Sequence, residues 1–369
     1  MKRAVIIALG IVLALCLALF YFVANAKQRL EEAKKTIPDM SFQDMLCYTL
    51  KDNEDGVITV GIIKQGKSEK HAYGTDGVEI ADTSKLYEIG SISKTVTAAM
   101  VYDAVKNNII EINKSIDNYI PLKKDRYYPT VAELISHTSG YKPYYFEWSM
   151  LGTKLSNKND FLGINSEKLI NRLNSINLKK ESHGFRYSNF GYAVLGEILK
   201  NINGKPYYMQ LKDKLSELNM QNSFLISDQK GIENRWEFKP DDVYLSAGGI
   251  VSNIEDMLNY AEFQLLDSSC SLHAQLAKTP EANEEKNAWM GMRFDAVAYG
   301  WMMDMENNFY WHNGATGHYN SYMAFSPERD TAVIILSNLK NNYRIPATIM
   351  GPKLMKEVLS SITTEDSII

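Results

Sequence analysis

Two β-rich stretches at opposite ends of the chain, with a long helical block between them, constrain its fold more than any other feature. Val57-Ile58-Thr59-Val60-Gly61-Ile62-Ile63 is rich in β-branched residues and reads as a strand. Lys64-Gln65-Gly66-Lys67 supplies a hairpin turn, and His71–Gly74 continues a second strand. Strand patterning returns only late, at Tyr299–Met303, Phe309–Asn313, Tyr319–Phe325 and Thr331–Ser337. Between these ends the pattern is helical. Ile92, Val96, Met100 and Ala104 recur at four-residue spacing, and helices are expected over Ser91–Lys106, Tyr192–Ile202, Tyr207–Leu218 and Asn253–Leu265. A last helix is expected from about Pro346 to Leu359. The expected fold is α/β of the α+β kind: an antiparallel sheet built from both chain ends, flanked by helices, with an inserted, mostly helical lobe. A cleft at the seam of the lobes is the natural place for a site.

Composition narrows the function classes. The 369 residues are 45% hydrophobic and 23% charged, which excludes disordered, collagen-like and coiled-coil chains. A net charge of -4 leaves no basic excess to neutralise phosphates, so no nucleic-acid partner is expected. There is no Gly-rich phosphate loop and no clustered Cys/His metal spacing, so neither a metal nor another cofactor is expected.

The N-terminus reads as separate from the fold. Lys2 and Arg3 precede an uncharged apolar run from Ala4 to Ala24, long enough to span a bilayer as a helix. Ala24-Asn25-Ala26 also fits a small-x-small cleavage site, so residues 1–26 are an anchor or a signal peptide. Residues 27–50 read as a charged tether and first helix, 51–362 as the folded domain and 363–369 as a tail. Outside the apolar run, Cys47 and Cys270 are either two separate thiols or a pair, depending on the approach of their Cα atoms.

Three short motifs carry the chemistry. Gly90-Ser91-Ile92-Ser93-Lys94 places a serine and a lysine at i and i+3, on one helix face, where a lysine of lowered pKa can take the hydroxyl proton. The same spacing recurs at Ser139/Lys142, Ser227/Lys230 and Ser337/Lys340, and the alternative for Ser91 is a helix cap beside a solvated lysine. Tyr187-Ser188-Asn189 sits in a turn before a helix. A phenol beside a cationic lysine loses its proton more easily and can shuttle protons. Asn189 offers a donor and an acceptor to a substrate amide, or simply caps the helix. His312-Asn313-Gly314 lies in an expected strand, where glycine permits close approach of a ligand and the Ala315 N–H can join that of Ser91 around an oxyanion. The alternative is an edge-strand histidine with a turn after it.

Together the three motifs resemble those of the serine β-lactamase and penicillin-binding-protein superfamily, in its class C and D-alanyl-D-alanine-peptidase-like branch. The resemblance covers roughly residues 55 to 340. Supporting stretches are Leu134-Ile135-Ser136-His137-Thr138-Ser139-Gly140, Phe185-Arg186-Tyr187-Ser188-Asn189 and Ser246-Ala247-Gly248-Gly249. It implies that Ser91 is the acylated nucleophile, Lys94 its proton acceptor and Tyr187 the base in acylation and acid to the leaving group. It further implies that Asn189, His312, Asn313 and Gly314 bind substrate, and that Ala315 completes the oxyanion hole. His137 and Ser139 are implied to be structural, supporting the active-site helix. The implied partner is a small-molecule or peptidoglycan-type acyl substrate, met outside the cytoplasm by a membrane-attached enzyme.

One position departs from that pattern. Class C β-lactamases usually carry a Lys-Thr-Gly or Lys-Ser-Gly where this chain has His312-Asn313-Gly314. A lysine is a standing cation, whereas a histidine is charged only part of the time near neutral pH. A D-alanyl peptidase or esterase is therefore expected ahead of an efficient antibiotic hydrolase. Two aromatic clusters, Tyr141–Trp148 and Trp289–Met303, are either pocket walls or core.

Overall fold

The structure is a computed structural model that describes Ala24, Gln28 and residues 31–366, except 156–157, 229–231, 267–270 and 284. The chain enters through α1 (Phe42–Leu50), whose start is fixed by a reciprocal Ser41–Asp44 capping box. The hairpin of β1 (Ile58–Lys64) and β2 (Lys67–Tyr73) follows, then the edge strand β3 (Glu79–Ile80). β4 (Tyr87–Glu88) leads through a single 3-10 turn, Gly90–Ile92, into α2 (Ser93–Lys106).

The middle of the chain carries α3 (Val131–Ile135), α4 (Ser149–Leu155), α5 (Ser166–Leu173), α6 (Asn189–Asn203) and α7 (Tyr207–Glu217). It goes on through β5 (Phe224–Leu225), α8 (Leu245–Gly248), β6 (Ile250–Ser252) and α9 (Ile254–Leu266). The chain then returns to the sheet with β7 (Ala277–Lys278), β8 (Ala296–Val297), β9 (Met302–Asp304), β10 (Phe309–Ala315), β11 (Asn320–Ser326) and β12 (Thr331–Ser337). It closes with α10 (Ala347–Asp366).

Among the described residues the main sheet has nine strands in the order β3-β2-β1-β12-β11-β10-β9-β8-β7. Each of its pairings is antiparallel, and the N-terminal hairpin joins the C-terminal strands through β1 against β12, with Ile58 opposite Ser337. The sheet is covered on both faces, which explains why β12 reads as the unbroken apolar run Ala332–Leu336. Ile334 and Leu336 point into the core shared with α2, α6 and α9, whereas Val333 and Ile335 meet α1 and α10. A small second sheet, β4-β6-β5, fastens the strand before Ser91 to the helical lobe.

The expectation of an antiparallel sheet from both ends with an inserted helical block holds. Three details differ. The helix expected from Ser91 begins with a 3-10 turn, because Gly90 takes a left-handed φ of 51° and tightens the entry. The strand expected over Tyr299–Met303 is shifted to Met302–Asp304, since Gly300 turns the chain at φ 77°. The short β3, β5, β7 and β8 are too brief to leave a periodic signal. Apart from Ala24, the apolar run lies outside the described residues, as does Cys270. Among the described residues no helix is long and apolar enough to cross a membrane. Cys47 is a half-buried thiol approached by the Gln43 amide at 3.5 Å.

Candidate active site

Two glycines bring the seam together. Gly314 on β10 passes so close to the turn before Ser91 that an added Cβ would lie 2.0 Å from the Ile89 carbonyl oxygen. At Gly90 an added Cβ would lie 2.6 Å from the Ala315 nitrogen. No side chain fits at either point, so β10 runs hard against the Ile89–Ser91 turn and delivers the Ala315 N–H beside Ser91. The Ser321 hydroxyl, across the ladder from Gly314, donates to Ile89 O at 2.8 Å and holds the same turn.

Ser91 sits in the 3-10 turn and Lys94 in the first turn of α2, so the i, i+3 spacing places them nearly eclipsed. Lys94 Nζ lies 3.0 Å from Ser91 Oγ and donates to the Ala247 carbonyl at 2.6 Å. Lys94 is fully buried, and no carboxylate among the described residues pairs with it. Burial therefore holds its amine well below the usual lysine pKa.

The Tyr187 ring centroid lies 5.0 Å from Lys94 Nζ. Burial raises the Tyr187 pKa, and the nearby Ser91 hydroxyl offsets only part of the rise. The expectation of an acidified phenol is thus corrected: removal from water raises the phenol's pKa and lowers the amine's, because it disfavours the charged form of each.

Asn189 opens α6, but the cap is the neighbouring Ser188, whose Oγ accepts from the Gly191 N–H at 2.9 Å. Asn189 instead lines a cavity of ≈ 50 Å3 with Ser91, Ala247, Gly248, Ala315 and four aromatic residues. Those four are Phe161, Trp236, Phe238 and Tyr244, with Phe161 stacked on Tyr244 at 4.2 Å. None was singled out from the sequence. They come from separated loops and one helix approach, and such a convergence leaves no periodic trace. Ala247 belongs to the Ser246–Gly249 stretch that the sequence did flag.

The aromatic clusters that could have been walls are mostly packing. Tyr141 and Trp301 are buried in the main core, and Trp289, Met290 and Met292 pack against the cluster under α10. Tyr144, Phe146 and Trp148 are exposed.

His312 is buried, with its ring 6.1 Å from that of Tyr187. Its Nδ1 donates to the Asn313 carbonyl at 2.6 Å, and its buried Nε2 has no hydrogen-bond partner among the described residues. Burial, reinforced by the nearby Lys94, pushes its pKa down to about 3. The partly charged histidine expected near neutral pH is therefore a neutral imidazole. Asn313 faces the other way along the strand, and its amide donates to Thr348 Oγ1 at the start of α10 at 2.9 Å.

His137 takes a left-handed φ of 59° after α3, and its Nδ1 accepts the Ser188 N–H at 3.1 Å. Its hydrogen bond therefore holds the turn that carries Tyr187. Ser139 Oγ accepts weakly from the Tyr141 N–H at 3.4 Å.

The chain has relatives in sequence and in fold among known proteins. The chain is 23% identical over 330 residues to "Protein flp" of Staphylococcus aureus, and it spans 62% of the length of that relative. It is 22% identical to a beta-lactamase of Providencia stuartii, covering 80% of this chain and 85% of that one. The fold is shared with a beta-lactamase/D-alanine carboxypeptidase from Yersinia pestis solved with citrate. That structure gives a TM-score of 0.66 at 19% identity, covering 88% of this chain and 98% of the other. It is shared also with an octameric penicillin-binding protein homologue from Pyrococcus abyssi, at TM-score 0.65 and 21% identity, covering 82% and 73%. The model of the beta-lactamase family matches residues 50–348, and the chain belongs to that family of serine hydrolases.

Proposed function

We propose that the protein hydrolyses D-alanyl peptides or esters of the cell envelope through an acyl-enzyme on Ser91. The observation that carries this reading is one hydroxyl 3.0 Å from a buried amine, with the half-buried Tyr187 phenol beside both. Ser91 Oγ attacks the substrate carbonyl carbon and gives its proton to the neutral Lys94 amine. The Ser91 and Ala315 N–H groups hold the oxygen that becomes negative. As the carbon–leaving-group bond breaks, Tyr187 O–H protonates the departing atom and is refilled from Lys94. Water then repeats the sequence in reverse and frees Ser91. The Asn189 amide orients the substrate's own amide from the cavity wall.

The neutral His312 offers no cation to a substrate carboxylate, which favours esters and amides that lack one there over β-lactams. The apolar run Ala4–Ala24 supports a membrane-attached protein with its catalytic domain outside the cytoplasm. The test is intact-mass spectrometry after incubation with a fluorescent penicillin and with a D-alanyl-D-alanine peptide, alongside p-nitrophenyl acetate turnover. A transient adduct on Ser91 with sustained product release is expected. One equivalent of product followed by silence would mean a penicillin-recognising sensor, and no adduct would overturn the reading.

A further inference from the structure

Three residues before Ser91, Glu88 is fully buried on β4, yet no step of the acyl transfer uses it. Its two carboxylate oxygens bond to two chain segments that border the Ser91 cavity. Oε1 accepts the backbone N–H of Trp236 at 2.5 Å, and Oε2 accepts the hydroxyl of Thr316, the residue after Ala315. Trp236 and Ala315 both line the Ser91 cavity. The Trp236 indole also packs on Gly317, where an added Cβ would come 2.5 Å from Nε1. Of the two bonds, one ends beside an oxyanion donor and the other on an aromatic wall, and both start from the strand that carries the nucleophile.

We propose that Glu88 is a positioning residue whose carboxylate clamps the Ala315–Thr316 end of β10 and the Trp236 wall onto the strand leading to Ser91. The proposal rests on the reading of Ser91 as nucleophile. An oxyanion donor misplaced by a fraction of an ångström loses most of its effect on the transition state while ground-state binding barely changes. A residue that only filled the core would not divide kcat from KM in this way.

The clamp is also sensitive to protons. Burial raises the Glu88 pKa to about 7, against the bonds from Thr316 and Trp236 and the Arg235 guanidinium, which favour the ionised form. The Tyr319 phenol also faces it and stays neutral, its own pKa pushed up to about 12. An ionised carboxylate accepts from both sides; a protonated one accepts from one side only and keeps the other bond only if the Thr316 hydroxyl turns to accept. Acylation is therefore expected to weaken by no more than about fivefold as pH falls through about 7, in addition to the limb set by Lys94.

The test compares four proteins by stopped-flow acylation with p-nitrophenyl acetate from pH 5.5 to 9, each adduct located on Ser91 by mass. Glu88→Ala and Thr316→Val are expected to slow acylation at saturating substrate about tenfold or more, with KM changed less than about threefold. Glu88→Gln can accept from Trp236 and donate to a turned Thr316 hydroxyl. It is expected to stay within about fivefold of wild type at pH 8 and to lose the inflection near pH 7. Thr316→Val removes only a hydroxyl, so the comparison stands even if the alanine variant does not fold. Equal acylation rates in wild type and folded Thr316→Val, or an unchanged inflection in Glu88→Gln, would overturn the clamp alone. A wild-type protein with no adduct on Ser91 would overturn the nucleophile reading and the clamp with it.

Discussion

The His137 ring lies 4.5 Å from the ring of Tyr187, and its Nδ1 takes the amide hydrogen of the very next residue, Ser188, at 3.1 Å. One buried imidazole thus fixes both the plane of the phenol and the backbone that carries it. Because Nδ1 accepts, the ring proton sits on Nε2, and burial with the nearby Lys94 holds the imidazole neutral. His137→Ala should leave the Ser188 N–H without its acceptor and open a void under Tyr187. The expected cost is about 2–4 kcal/mol, read as a lowered midpoint in denaturant. His137→Asn tolerates the left-handed backbone and keeps an acceptor, and should lose less than half as much.

Ser91→Ala should abolish turnover while the fold survives, since the side chain contributes chemistry and almost no core. Circular dichroism and the absence of a penicillin adduct by mass would check both halves. Full esterase activity in the alanine variant would show that another residue is the nucleophile.

Lys94 links stability to pH. The unfolded chain keeps this proton up to about pH 10.4, whereas the folded chain gives it up well below that value. In that window the unfolded state binds more protons, so this group's contribution to stability rises as pH rises and is lost toward acid. Activity should rise in the same direction, because only the free amine accepts the Ser91 proton. Lys94→Met should remove activity yet raise stability at pH 7 by about 1–2 kcal/mol, and should flatten the alkaline rise in Tm. A lowered Tm would argue that the bond to Ala247 outweighs the cost of burying the amine.

His312→Lys puts a second amine where the imidazole now lies beside Lys94. The ratio of β-lactam to ester acylation should rise about tenfold if a cation is what the third motif lacks. An unchanged ratio at matched expression and fold would mean that the histidine does not set this preference.

Features that depend on local pattern were legible in the chain. β-branched runs at both ends set the antiparallel sheet, and the Ser91–Lys94 spacing set their meeting, because three residues of a tight turn can place them nowhere else. The triad's members were legible because each has its own local motif. Their proton affinities were not legible, since Lys94, Tyr187 and His312 take shifted pKa values from burial by chain far away in sequence. Tertiary structure also decided which aromatics wall the cavity. Phe161 and Trp236 meet at 6.2 Å from loops with no shared period, while the conspicuous Trp301 went into the core. The role of Glu88 was invisible for the same reason: its partners, Trp236 and Thr316, lie 148 and 228 residues away along the chain. Periodicity reports only which face of an element is dry; it carries no record of which distant groups will share that dryness.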